Sequence, residues 1–199
     1  MKITIMDYGV GNLHSMAKGL EKAGARTEVV SDPMELLGAE CVVFPGVGAF
    51  GAAMDSLRPV LPELRKRISG RMPTLGVCLG MQILFERSEE SPGIGVSALK
   101  GEVRRLRKGR VPQMGWNDVS AKEDMLFEGV PKGSQFYFAN SYVCYPVEPI
   151  GVAETVYGDK FVSAVRKGKL VGVQFHPEKS GLPGLRLLSN FVAIAEGSA

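Results

Sequence analysis

Gly76-Val77-Cys78-Leu79-Gly80-Met81-Gln82 closes an apolar run that begins at Thr74. A cysteine between a strand-like and a helix-like segment, with glycine two residues before and two after, marks a sharp strand-to-helix turn. Its central residue is forced into a strained backbone conformation, and only small neighbours fit around it. Thr74 to Cys78 therefore reads as a buried strand and Leu79 to Arg87 as the helix that follows. Upstream, Val- and Ile-rich runs at Ile3 to Tyr8, Arg26 to Val30 and Cys41 to Pro45 alternate with helical spacing at Leu13 to Lys22 and Phe50 to Ile68. Pro59 and Pro62 should split the second helix. Strands alternating with helices at these lengths imply right-handed crossovers and a parallel sheet, so the first half is α/β.

The pattern changes after about residue 95. Phe136 to Tyr145, Ile150 to Tyr157, Phe161 to Lys167 and Leu170 to Phe175 read as close-spaced strands. The Gly158-Asp159 and Lys167-Gly168 turns favour hairpins, hence an antiparallel portion. A last amphipathic helix is expected from Pro183 to Ala195.

With 199 residues, 45% hydrophobic and 23% charged, the chain has the composition of one globular domain spanning 1–199, which excludes a disordered, collagenous or coiled-coil protein. No apolar run reaches membrane-spanning length, and Asp7 interrupts the N-terminal apolar stretch too early for a signal peptide, so a cytoplasmic protein without a membrane is expected. Three cysteines, 41, 78 and 144, with no CxxC, give neither a disulfide framework nor a zinc ribbon. Six of the basic residues lie between Lys100 and Arg110 against the single acid Glu102, and no aromatic stripe accompanies them. That cluster reads as a solvated face, with docking on an acidic partner surface as the alternative, and not as a nucleic-acid site. Gly46-Val47-Gly48-Ala49-Phe50-Gly51 is a literal GxGxxG, but the following strand closes on Cys78 without the carboxylate that a dinucleotide ribose needs, and no GK[ST] follows. No cofactor and no metal are expected.

Cys78 is the candidate nucleophile. Lowering a thiol pKa from ~8.5 to ~6 takes about 3.4 kcal/mol at roughly 1.36 per unit. A helix N-terminus supplies about 0.3 to 1 kcal/mol, so a base must assist. Only two histidines exist. His14 falls on the first helix and reads as a surface or capping residue. His176 ends the last strand in Val173-Gln174-Phe175-His176-Pro177-Glu178, where residues two apart share one side and Glu178 can orient the imidazole. Cys41 and Cys144 sit in apolar strands and read as core.

Cys78, His176 and a glutamate two residues later resemble the class I (triad) glutamine amidotransferases. Four further segments narrow the resemblance to the branch formed by the glutaminase subunits of imidazole glycerol phosphate synthases: Asp7-Tyr8-Gly9-x-Gly11-Asn12-Leu13, Pro45-Gly46-Val47-Gly48-Ala49-Phe50, Pro112-Gln113-Met114-Gly115-Trp116-Asn117 and His176-Pro177-Glu178-Lys179-Ser180-Gly181. The resemblance implies a flavodoxin-like open parallel sheet with helices on both faces and an antiparallel C-terminal extension. It implies hydrolysis of L-glutamine through a Cys78 thioester, with the oxyanion held by the Leu79 N–H and a donor from Gly46-Val47-Gly48. Gln82 and Glu90, with backbone groups at Asn140, Ser141 and Tyr142, are implied to hold the glutamine; many members carry His where Asn140 stands. The implied partner is a (β/α)8-barrel cyclase subunit, forming a heterodimer and receiving ammonia, with Asn12, Trp116, Tyr137 and Lys179 as contacts. A peptide flip in the Gly46–Gly48 loop is the expected gate. The glutaminase subunit of another synthase, such as that of pyridoxal phosphate synthase, is the alternative, and the DYGxGN and PGVGAF segments argue against it. A thiol peptidase of the same fold group would place His directly after the nucleophile, where Leu79 stands. A non-catalytic subunit would have lost Cys78, His176 or Glu178.

Overall fold

In the computed structural model, which describes residues 1–9 and 11–197, the first half alternates strand and helix as the spacing predicts. The strands β1 (Lys2–Met6), β2 (Arg26–Val30), β3 (Val42–Phe44) and β4 (Thr74–Val77) are separated by α1 (Leu13–Lys22), α2 (Phe50–Leu57) and α3 (Leu61–Ser69). A short 3-10 turn at Arg58–Val60 divides α2 from α3 at Pro59, as the prolines require. Helix α4 (Leu79–Ile83) follows β4 directly.

The second half contributes β5 (Arg87–Ser88), β6 (Gly101–Arg105), β7 (Gln113–Asp118), β8 (Ser120–Ala121), β9 (Gln135–Asn140), β10 (Tyr142–Pro146), β11 (Gly151–Tyr157), β12 (Asp159–Lys167) and β13 (Leu170–Val173), then α5 (Gly181–Glu196). Sheet order is β2-β1-β3-β4-β13-β12-β10-β6-β5, with β11 on β12 and β8 on β11. The first five positions are parallel and form the flavodoxin-like core; from β13 to β6 neighbours are antiparallel. Side chains alternate between two apolar clusters. Ile3, Ile5, Val43, Leu75 and Val77 pack with α1 and α5 on one face, and Met6, Val42 and Phe44 with α2, α3 and α4 on the other. Among the described residues, no helix is long and apolar enough to cross a membrane.

Three expectations are corrected. The helix from Leu79 stops at Ile83, not Arg87. Leu84 and Phe85 close onto Met81 and Gln82 with three-residue spacing, and the chain leaves to pair at Gly101 through Glu86 N. Phe136 to Tyr145 is two strands in different sheets: β9 pairs β7, β10 pairs β12 and β6, and Ser141 is the crossover. The strand ending near His176 forms the predicted hairpin with β12, yet its other edge joins β4 in parallel, with Val173 opposite Val77. Periodicity shows which residues alternate along a strand but not which neighbour takes its second edge. That pairing brings residues 174–176 beside Cys78.

Candidate active site

Cys78 adopts φ 51° and ψ −103°, outside the regions that non-glycine residues prefer. The glycines around it explain how this is enforced. A Cβ on Gly80 would collide with the Phe44 carbonyl, and one on Gly76 with the backbone of Gly80, so β3, β4 and the first turn of α4 approach at backbone contact. The Cys78 N–H donates to Val173 O at 2.7 Å, continuing the β4–β13 ladder into the turn. Leu79, the first residue of α4, carries an N–H with no acceptor earlier in its helix.

His176 is supplied by the chain after β13. Val171, Val173 and Phe175 alternate into the α1/α5 core, which turns Gly172, Gln174 and His176 to the other side. His176 N donates to Tyr137 O at 2.8 Å, and the Ser180 hydroxyl donates to His176 O at 2.6 Å while accepting from Tyr137 N at 3.0 Å. Pro177–Lys179 coils into a 3-10 turn in place of the extended segment expected, with Lys179 N on His176 O at 3.1 Å. Glu178 still reaches back, and its Oε1 lies 2.8 Å from His176 Nδ1. Both side chains are almost fully buried.

Burial alone would pull the imidazole pKa down. Interaction with the Cys78 sulfur and with Glu178 outweighs it, so His176 is pushed up to about 10. Nε2 is buried and makes no hydrogen bond of good geometry, so the nitrogen opposite Glu178 is not taken up by another group. The other two thiols are core residues as expected: burial pushes Cys41 up to about 12 and raises Cys144 well above the ordinary thiol value.

The Pro45–Phe50 loop lies over this pair. A Cβ on Gly46 would stand 2.9 Å from Cys78 Cβ and 3.1 Å from His176 Cε1, so no side chain fits between the loop and the two groups. Gly48 has φ +117°, open to glycine. Glu90 Oε2 accepts from Phe50 N at 2.7 Å and so fixes the far end of this loop at the start of α2. Val47 packs on Gly11 so closely that a Cβ there would overlap it, linking the loop to the segment before α1.

Gln82, nearly buried on α4, donates from Nε2 to Tyr142 O at 3.1 Å, and Asn140 Nδ2 donates to the same carbonyl at 3.1 Å. Ser141 O accepts from Leu106 N at 2.9 Å. The Ser141 and Tyr142 carbonyls are therefore engaged within the chain. Asn140 Oδ1 and both amide atoms of Gln113, its cross-strand neighbour, are buried without a partner. Tyr137 stands edge-on to His176 at 6.5 Å and to Trp116 at 6.2 Å, and Lys179 Nζ lies 5.7 Å from its ring. Trp116 is 56% exposed and Met114 67%, so an aromatic path runs from the imidazole to an apolar surface. Asn12 caps α1, its Oδ1 accepting from Ser15 N at 3.1 Å. His14 is exposed on α1.

Sequence reasoning missed Gln174. It is fully buried, and its Nε2 lies 3.4 Å from Cys78 Sγ. The signal was present in the two-residue spacing that joins it to His176. Missed too was the Ala139 carbonyl, 3.7 Å from the same sulfur, for which the sequence carries no signal.

The family model for class-I glutamine amidotransferases matches residues 4–195. The chain is 46% identical over 196 residues to the imidazole glycerol phosphate synthase subunit HisH of Thermococcus kodakarensis, covering 95% of this chain and 98% of that one. It is 44% identical to the subunit of the same name from Methanocaldococcus jannaschii, covering 96% and 99%. A crystal structure of a glutamine amidotransferase superposes with TM-score 0.78 at 22% identity, covering 98% of both chains, and that of a glutamine amidotransferase from Thermotoga maritima with 0.73 at 18%, again covering 98% of both. These structural likenesses speak for the fold alone. By the extent of the family match and the identity to these relatives, the chain belongs to the class-I glutamine amidotransferases, in the branch of the imidazole glycerol phosphate synthase subunits HisH.

Proposed function

We propose that this chain, acting as one domain over 1–199, is the glutaminase subunit of an imidazole glycerol phosphate synthase in histidine biosynthesis, and that it hydrolyses L-glutamine to glutamate and ammonia. The observation that carries the reading is the meeting of Cys78, His176 and Glu178 at the junction of β4 and β13, with His176 bonded to Glu178 at 2.8 Å. With the Cys78 proton held on His176 Nε2, the thiolate attacks the side-chain amide carbon; the carbonyl electrons move to oxygen. The N–H of Leu79 and one from Gly46, Val47 or Gly48 bind that oxyanion. Collapse breaks the C–N bond, His176 returns the proton to nitrogen, and ammonia leaves a thioester. Water, deprotonated by His176, then displaces the sulfur and releases glutamate. Glu178 holds the imidazole tautomer throughout. Gln82 and Glu90, with backbone groups at Asn140, Ser141 and Tyr142 other than the Ser141 and Tyr142 carbonyls, hold the glutamine.

Ammonia passes to a (β/α)8-barrel cyclase subunit in a cytoplasmic heterodimer, which makes imidazole glycerol phosphate and an aminoimidazole ribonucleotide. Trp116 and Met114, exposed beside Tyr137, favour that face as the contact, with Asn12 and Lys179 at its margin. The Gly46–Gly48 loop gates the reaction by a peptide flip. Its support is the loop's two contacts, Gly46 against the Cys78–His176 pair and Val47 against Gly11, so that a partner seated near Asn12 acts on the loop. Gly48→Pro should then alter partner-dependent stimulation and spare glutamine binding.

The test is glutamate release by the purified chain, alone and with the barrel partner plus its ribulosyl substrate, against Cys78→Ala. Stimulation abolished by Cys78→Ala is the expected result. High activity without a partner removes the gate, and no activity in either mixture removes the glutaminase reading.

A further inference from the structure

We infer that Gln174 is a dedicated hydrogen-bond donor to the Cys78 thiolate, held in that orientation by a chain of amides that starts at the Tyr142 carbonyl. The orientation follows from which end of each amide faces which neighbour. The Tyr142 carbonyl can only accept, so the end of Gln82 lying 3.1 Å from it is the NH2 end. The same Gln82 Nε2 lies 3.3 Å from the Gln174 amide, and an NH2 group requires an acceptor there, which makes that atom Oε1. The remaining end of Gln174 is then Nε2, and it lies 3.4 Å from Cys78 Sγ. Reversing Gln174 would set two NH2 groups against each other, and reversing Gln82 as well would set its oxygen against the Tyr142 carbonyl. One unambiguous backbone acceptor thus fixes a donor at the sulfur two side chains away.

The placement suits a sulfur that becomes charged. When the sulfur is protonated, S–H donates to the Ala139 carbonyl at 3.7 Å while the sulfur accepts from Gln174. Once the proton has moved to His176 Nε2, Ala139 O faces the thiolate as an uncompensated dipole, and Gln174 supplies a donor against it. Gln174 is fully buried, so water does not replace this donor when the side chain is changed. No bond is made or broken at Gln174. The hydrogen bond strengthens as negative charge gathers on sulfur and weakens as the sulfur lone pair enters the new C–S bond. Gln82, proposed above to hold the substrate, is also the residue that orients this donor, which couples occupancy of the glutamine site to the state of the nucleophile.

The catalytic consequence rests on the glutaminase reading, but the contact is read without it. The experiment is the rate of iodoacetamide alkylation at Cys78, followed by peptide mass between about pH 5 and pH 10, in the full chain and in Gln174→Met and Gln174→Glu, with Cys78→Ala as blank. Cys41 and Cys144 are fully buried. Loss of the donor should move the alkylation midpoint up by about one pH unit. Because nucleophilicity rises as the thiol pKa rises, the variant should react about three- to fourfold more slowly below both midpoints and about threefold faster above them. Gln174→Glu keeps the acceptor for Gln82 and sets an oxygen against the sulfur, so its midpoint should rise at least as far. With glutamine and the barrel partner, kcat should fall and KM hold. A midpoint unchanged in a folded variant, with KM raised, would overturn the inference and leave Gln174 as a prop for Gln82. Should Gln174→Met fail to fold, the near-isosteric Gln174→Glu decides alone. If wild type shows the predicted alkylation behaviour but no Cys78-dependent glutaminase activity, the activity assignment falls and the donor stands.

Discussion

The two sides of the active site are held by different physics. On the cysteine side the backbone is fixed sterically: β3, β4 and α4 touch backbone to backbone through Gly76 and Gly80, which hold Cys78 at φ 51°, ψ −103°. On the histidine side everything is polar: Tyr137, Ser180, Glu178 and the 3-10 turn of Pro177–Lys179 fix the imidazole by hydrogen bonds. Close packing fails abruptly when a methyl group is added, whereas a hydrogen-bonded network weakens one contact at a time. Substitutions of the glycines on the first side should therefore act on folding, and those of the polar groups on the second on the pH dependence and rate.

The largest effect is expected from Gly80→Ala. The added Cβ would overlap the Phe44 carbonyl, and both neighbours are strand or helix backbone that cannot give way locally. Urea denaturation should show a loss of about 3 kcal/mol or more, at or beyond the upper end for overpacking. A loss below about 1 kcal/mol would mean that the elbow adjusts, contrary to the steric account.

Next in size is Glu178→Gln. The amide keeps the shape of the carboxylate but removes its charge, so glutamate release should fall about a hundredfold or more while the fold persists. The same variant reads the electrostatics. The His176 pKa is raised in the folded state, to about 10, so its protonation contributes stability that is fully present below its unfolded value of about 6.5 and is lost as pH rises through about 10. Glu178→Gln removes one of the two attractions behind that rise. The fall in urea midpoint between pH 6 and pH 10 should become shallower in the variant; an equal fall in both would assign the pH dependence to other groups.

The difference between the sides also explains what the sequence disclosed. GxCxG is a contiguous signature because the steric device is local, and the parallel strands before it declared themselves through apolar runs bounded by helical spacing. His176 and Glu178 were readable because they are two residues apart, even though a 3-10 turn brings them together where an extended segment was expected. What stayed hidden depends on long-range pairing. The β4–β13 register and the division of Phe136 to Tyr145 between two sheets are set by tertiary edges that no local pattern encodes, and the Ala139 carbonyl and the Tyr142 anchor reach the site only through them. Gln174 lay between these cases: its face was legible from its spacing to His176, but its partner across β4 was not.

Ser180→Ala should have a smaller effect. It removes one donor to His176 O, which is buried, and one acceptor for Tyr137 N, which is partly buried, at an expected cost of about 1 to 2 kcal/mol. Activity should fall more than stability implies, because the lost contacts fix the imidazole; a rate unchanged to within about twofold would show that Glu178 alone orients His176.

The smallest effect isolates the strain itself. Cys78→Ala and Cys78→Gly both remove the sulfur, and both should abolish glutamate release, yet only glycine takes φ 51°, ψ −103° without steric conflict. If the glycine contacts of β3 and α4 truly force this conformation, Cys78→Gly should be more stable than Cys78→Ala by about 1 kcal/mol, against the usual order in which glycine is the less stable because its unfolded chain has more freedom. Equal urea midpoints would mean that relief of strain only offsets the added unfolded-state freedom. An alanine variant more stable than the glycine one would show that the elbow holds Cys78 without strain, and the steric half of the comparison would then reduce to packing around Gly76 and Gly80.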